Sequence, residues 1–541
     1  MGGDALRSIE ELAREMGIAP QHVVPYGTEK AKIRLGSVAG RPAGKLVLVS
    51  AITPTRAGEG KTTTSIGLAQ GLAKIGKKVC LALREPSLGP TFGMKGGATG
   101  GGRSVVVPET DINLHFTGDF HAISTANNLL AAMLDNHLQH GNALGIDVRQ
   151  ITWRRVVDLN DRALRNVIVG LGGPMQGVPR ETGFDITPAS EIMAALCLAE
   201  GLDDLRRRLG RLQVAMDRDG NPVTADDLKA TGSMMVVLKD ALMPNLVQSV
   251  EGVPAFIHGG PFANIAHGCN SVLATKAALA HGDWAVTEAG FGFDLGGEKF
   301  FDIKCRSAAL RPVTVVLVAT VRALRHHGGG GTDTDPRAVE AGIPNLLKHI
   351  ENARKFGFEP VVALNRFGDD TDEEIAVVRA ACEQAGTTFA ESDHFGQGGE
   401  GAIDLARAVV AQAESKPGNL KLLYELDQPL KAKIETIATE VYGAASVAYS
   451  KQAEKDLKRI DGLGLSGLPL CVAKTPASLS DNPQLAGRPE GFEITVESVV
   501  SAAGAGFVIP LLGSILRMPG LPAEPAAHRI DLVDGEVQGM H

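Results

Sequence analysis

Eight consecutive residues, Thr55-Arg56-Ala57-Gly58-Glu59-Gly60-Lys61-Thr62, combine two glycines, a lysine and a hydroxyl in an order suited to a polyphosphate. Gly58 and Gly60 let the backbone turn so that successive N–H groups face phosphate oxygens. Lys61 would reach the outer phosphates, and Thr62 would offer its hydroxyl to Mg²⁺. Thr55 stands where the usual phosphate-loop pattern begins with glycine, so the pattern is incomplete although its strand-to-helix context is right. A second cluster, Arg84-Glu85-Pro86-Ser87, adds a fixed cation and a carboxylate. A guanidinium donates to two anions at once, so Arg84 can clamp a carboxylate against a transferring phosphoryl group. The same spacing also suits an ordinary strand-end ion pair. Gly93, Gly96, Gly97, Gly100, Gly101 and Gly102 follow, either as a wall of bare backbone close to a ligand or as a mobile loop.

Both clusters need an element that brings them to one edge. Short β-branched runs at 46–52, 79–83, 167–169, 313–318 and 361–364, each followed by a helical pattern, read as a parallel α/β sheet. Between the first two, residues 61–75 carry Ile66, Leu68, Ala69, Leu72, Ala73 and Ile75 mostly on one helical face, which makes a βαβ crossover. The phosphate loop then sits at a strand's carboxyl end, where open α/β sheets bind ligands. Residues 201–227 are charge-rich and helical in pattern, suited to a surface insertion or a subunit contact. Gly328–Gly331 and Lys416-Pro417-Gly418 mark loops.

Composition narrows the function classes. The 541 residues are 44% apolar but only 4% aromatic, with 65 glycines, so the interior rests on Val, Leu, Ile and Ala in close contact. A formal charge of −8 without a block of like charges gives no footprint for nucleic acid or a membrane surface. The most apolar stretch, 498–516, contains Gly504, Gly506, Pro510 and Gly513, which suit a buried strand and turn better than a membrane helix. Residues 1–20 read as an amphipathic helix without the apolar core of a signal peptide, pointing to the cytoplasm. Six scattered cysteines lack CxxC spacing and suit reduced thiols. His115, His121, His258 and His267 show no ligand spacing, and read as hydrogen-bonding residues rather than transition-metal ligands.

These blocks resemble the formate–tetrahydrofolate ligase family. The likeness continues through His115-Phe116-Thr117-Gly118-Asp119, Pro179 to Ile186, His258 to Cys269, Thr287 to Arg306, Asn365-Arg366-Phe367, Gly398 to Gly401, Cys471 to Asp481 and Met518 to Pro522, in family order. The resemblance implies an α/β fold with a large P-loop-containing parallel-sheet domain and two smaller α/β domains, expected at residues 1–350 (with later segments possible), 351–450 and 451–541. It implies ligation of formate to tetrahydrofolate through formyl phosphate, with ATP and Mg²⁺, stimulation by K⁺ or NH₄⁺, and a homotetramer. By the same resemblance, residues 55–62 bind ATP, Arg84 holds formyl phosphate with Glu85 and Ser87 lining its site, and Asp119 accepts the N10 proton. Helix capping is the ordinary alternative for Asp119. Phe291, Phe367 and Phe395 would face the pterin, with core packing as the alternative. The chain departs from the family pattern at Arg56 and Gly368, where proline is common, at Phe395, where tryptophan is expected, and at Phe293, whose bulk would narrow the pocket. Leu512 and Ser514 stand where a more polar pattern is expected. A nucleotide-dependent switch, and a family member that has lost folate chemistry, are the competing classes.

Overall fold

The computed structural model describes residues 6–41, 43–94, 97–265, 267–513 and 515–540. Gly96 and Ser514 lie outside them. The largest element is a mixed sheet of 12 strands. Seven neighbours run parallel, in the order Pro254–Ile257, Val79–Leu83, Trp284–Glu288, Lys45–Ala51, Pro312–Ala319, Val361–Asn365 and Thr388–Ser392. Antiparallel strands extend one side through Asn245–Ser249 and Ala31–Ile33 to Val23–Pro25.

The central strands are almost wholly buried and mostly apolar because helices cover both faces. Alternation along Lys45–Ala51 divides its side chains, with Leu46 and Leu48 in one core and Val47, Val49 and Ala51 in the other. Helix Lys61–Lys74 covers the second face through Ile66, Leu68, Ala69 and Leu72. Helices Val272–His281 and Pro336–Lys355 cover the first through residues such as Val272, Leu346 and Ile350. Two further cores gather helices Asp119–Gln139 and Glu191–Leu198, and separately residues between Tyr424 and Leu512.

Three expectations need correction. Val167–Val169 is not in the large sheet; it pairs antiparallel with Arg180–Thr182 in a two-stranded arm whose Ile168 is exposed. Three β-branched residues favour a strand but carry no information about its partner. Residues 201–227 are helical only over Leu202–Gly210, after which Gln213–Asp217 and Pro222–Thr224 form an antiparallel hairpin. The sheet as a whole is mixed rather than parallel. Residues 498–511 form the hairpin Ser498–Ala502 with Phe507–Leu511, its glycines at the turn. Among the described residues no helix is long and apolar enough to cross a membrane. All six cysteines are free and buried.

Candidate active site

The parallel strands end together, and their carboxyl edge carries both clusters singled out by chemistry. Strand Lys45–Ala51 leads into the loop before helix Lys61–Lys74, and the neighbouring Val79–Leu83 leads into Arg84. Gly58 and Gly60 take φ of 77° and 72°, a left-handed conformation natural to glycine. A Cβ on Gly60 would also stand 2.5 Å from Asn365 Nδ2, so the position is closed to side chains on two grounds. No side chain caps the helix at Gly60, which leaves the positive end of its dipole facing the loop.

Buried Glu59 braces this loop. Its Oε1 accepts from the Thr55 backbone at 2.7 Å and from Thr55 Oγ1 at 2.9 Å, and Oε2 accepts from Thr320 Oγ1. Asn365 Nδ2 donates to the Glu59 carbonyl at 3.2 Å, and Arg322 Nη2 to the Gly58 carbonyl at 2.8 Å. Contacts at the ends of three strands thus converge on one short loop.

Glu288, the last residue of strand Trp284–Glu288, joins the two clusters. Its Oε2 accepts from Thr62 Oγ1 at 2.7 Å, while Oε1 accepts from Arg84 Nε at 3.3 Å and Nη2 at 3.2 Å. The strand-end ion pair foreseen for Arg84 therefore exists, but the Arg84 side chain is 31% exposed and Glu288 only 3%. The guanidinium keeps a face open to a ligand. A Cβ on Gly290 would come within 2.9 Å of Arg84 Nη1, so the following loop leaves room for it.

Behind Arg84 lie the remaining polar residues. Ser87 Oγ donates to Asp158 at 2.6 Å. Glu85 is buried, and Oε2 has no hydrogen-bond partner among the described residues. Burial, then the neighbouring Asp119 carboxylate, pushes its pKa well above the usual carboxylate range, which favours the protonated form of Glu85. Asp119 begins helix Asp119–Gln139, but Gly118 occupies the cap position and no side-chain cap is formed. The Asp119 carboxylate instead takes buried Lys32 at 2.7 Å and Asn245 Nδ2 at 2.8 Å.

The three candidate phenylalanines differ in setting. Phe367 is half-buried, with the Arg322 guanidinium 4.9 Å from its ring centroid. Phe395 is 52% exposed, and a Cβ on Gly101 would meet its ring edge at 3.0 Å. Its backbone carbonyl accepts from the Arg103 N–H at 2.9 Å, and the preceding His394 reaches Thr64 on the helix after the phosphate loop at 3.2 Å. Phe291 sits between glycines with φ of 60°, a conformation uncommon for an aromatic residue and one found where a site holds its backbone under strain.

The family model described as formate–tetrahydrofolate ligase matches residues 3–541. The chain belongs to the formate–tetrahydrofolate ligase family. It is an enzyme of the ligase class, and the family joins formate to tetrahydrofolate with ATP in one-carbon metabolism.

Against the family pattern, two departures of this ligase acquire a structural meaning. Phe293 does not narrow a pocket: it is fully buried, 6.0 Å from both the Phe301 and the Phe356 ring in the core. Leu512 is likewise buried in the C-terminal core, where an apolar residue belongs. His258 is the structural residue expected, bonding Ser271 at 2.7 Å and the Ala241 carbonyl at 2.6 Å. His267 is buried, but neither ring nitrogen finds a partner among the described residues. Sequence reasoning missed Glu288, Lys32 and Arg322 as site residues. The one signal for Glu288 in the sequence was its place in the family-like block Thr287 to Arg306; that its strand lies beside the phosphate-loop strand is a matter of register.

Proposed function

We propose that the ligase works through formyl phosphate at the edge formed by residues 55–62 and Arg84. The observation that carries this reading is the Glu288 carboxylate shared by Thr62 and Arg84, which sets a phosphate-loop hydroxyl and an anion-binding guanidinium on one support. A formate oxygen attacks the terminal phosphorus of ATP, the bond to the bridging oxygen breaks, and ADP leaves. Folate N10 then attacks the formyl carbon and inorganic phosphate departs, since phosphate leaves where the oxygen of formate could not. Lys61 and the loop N–H groups bind the polyphosphate, and Arg84 holds the oxygens of formyl phosphate, with Ser87 lining the pocket.

Thr62 and Glu288 fit Mg²⁺, since both present oxygen donors and stand a hydrogen bond apart. No cluster of three metal-binding side chains occurs among the described residues, so nucleotide phosphates would complete the shell. Bound there, the ion neutralises charge on the transferring group. Asp119 receives the N10 proton by relay: protonated Glu85 passes its own proton to Asp119 as it accepts the one from N10. Phe291, Phe367 and Phe395 stack on the pterin. Stimulation by K⁺ or NH₄⁺, a homotetramer, a cytoplasmic location and a folate-site role for residues 351–450 complete the proposal; family membership supports the first two.

Formate labelled with ¹⁸O tests the intermediate. One label per turnover in inorganic phosphate, dependent on tetrahydrofolate, MgATP and Lys61, is expected. Unlabelled phosphate accompanying 10-formyltetrahydrofolate would exclude formyl phosphate.

A further inference from the structure

The phosphate loop is mechanically continuous with two of the three rings of the proposed folate site, Phe367 and Phe395. Arg322 carries one bridge: its Nη2 donates to the Gly58 carbonyl at 2.8 Å while its guanidinium carbon lies 4.9 Å from the Phe367 centroid. Its Nε is buried with no hydrogen-bond partner, leaving a spare donor beside the loop. Asn365, two residues before Phe367, reinforces this bridge through the Glu59 carbonyl. A second bridge runs from Phe395 through His394 to Thr64, whose Oγ1 also donates to the Gly60 carbonyl at 2.9 Å.

We propose that Arg322 is a positioning residue that couples nucleotide binding to folate binding. This rests on the folate role proposed for Phe367. Phosphates seated on residues 55–62 immobilise the Gly58 peptide, hence the guanidinium bonded to it, hence the ring the guanidinium covers. Folate then meets a platform already ordered, and loses less conformational freedom on binding. Coupling of this kind is reciprocal, so tetrahydrofolate must tighten nucleotide by the same factor.

Calorimetry on the full chain tests it: the Kd of tetrahydrofolate with and without saturating MgADP, and the Kd of MgADP with and without tetrahydrofolate. In the native protein each ligand is expected to tighten the other by about fivefold or more, the lower end of ordinary coupling. Arg322→Met keeps the length of the side chain but removes charge and donors. It should bring the factor to about one while the Kd of MgADP alone shifts less than about threefold. Arg322→Lys, able to cover the ring but not to span ring and carbonyl as a planar fork, should retain part of the factor. Arg379→Met breaks a like guanidinium–ring contact, 4.8 Å over Phe389, that does not involve the phosphate loop, and should leave the factor unchanged. A native factor of one, or the native factor persisting in Arg322→Met, overturns the inference. A native protein that binds MgADP but no tetrahydrofolate overturns the folate assignment itself, and the inference with it.

Discussion

Two ion pairs stand at the same edge of the sheet and differ in almost every physical respect. Lys32 and Asp119 are 1% and 2% exposed, and every remaining contact around them is an oxygen or amide of the fold: Asn245 bonds both, and the Met243 carbonyl takes Lys32. Arg84 and Glu288 meet at 3.2 Å with the arginine 31% exposed. A buried pair cannot exchange partners cheaply, because either charge alone would remain desolvated. A half-open pair can, since water or an incoming anion replaces the partner. The first pair is closed to ligands, so a proton reaches Asp119 only through the neighbouring Glu85, whereas the second pair meets a ligand directly, although both join residues far apart in the chain.

The contrast breaks most readily at Lys32. Lys32→Met leaves Asp119 buried without its cation, and should destabilise the fold by about 3–5 kcal/mol, the range for removing one member of a buried pair. Urea unfolding measures this. A loss under about 1 kcal/mol would mean that the pair is not buried in solution. Arg84→Ala should weigh on function instead: turnover falls by about 10²–10³ or more, as for loss of one preorganised electrostatic group, while the loss of stability stays below that of Lys32→Met, because Arg84 is 31% exposed and water can enter beside the buried Glu288. Retained turnover would remove Arg84 from the formyl phosphate site. Glu288→Gln tests whether the open pair is a support as well. It keeps a hydrogen-bond acceptor for Thr62 but not the charge beneath Arg84, so a smaller fall in turnover, on the order of tenfold, is expected in steady-state kinetics.

How much of this was visible beforehand follows from what each feature depends on. The phosphate loop was legible because its chemistry is local: glycines, lysine and threonine occur within eight residues, between a β-branched run and a helical one. The covered strands were legible for the same reason, since burial on both faces makes a continuous apolar run. Lys32 gave no such signal. It lies in a three-residue strand, Ala31–Ile33, and its partner is 87 residues away. Glu288 lies 204 residues from Arg84, so only the parallel register of adjacent strands brings them together. Long-range register also explains the misplaced Val167–Val169 strand, whose residues specify extension but no neighbour. The pterin candidates came from family likeness. The structure alone distinguishes the Arg322-backed Phe367 from Phe293 in the core.

Glu85 stands between the two pairs, and gives the smallest but most directional prediction. Its pKa is raised by burial and by Asp119, so from its unfolded value of about 4.5 up to its folded value the native state binds the extra proton. Stability from this group is full below that unfolded value and is lost as pH rises through the folded one. Buried His258 and His394 act in the opposite sense: burial lowers each to about 4, so the unfolded chain binds the extra proton between about 4 and 6.5. Their contribution is full above about 6.5 and declines as pH falls. Urea midpoints measured from pH 4.5 to 8.5 should therefore show an acid limb and an alkaline limb. Glu85→Gln, which stays neutral at every pH, should make the alkaline limb shallower without abolishing it, because burial also raises Glu298, Glu191 to about 7 and Asp302 to about 6, and should leave the acid limb in place. An alkaline limb of the same steepness in Glu85→Gln and the native protein would mean that Glu85 is ionised in the fold, its charge held with the Lys32–Asp119 pair, and the proton relay through it would fail with that result.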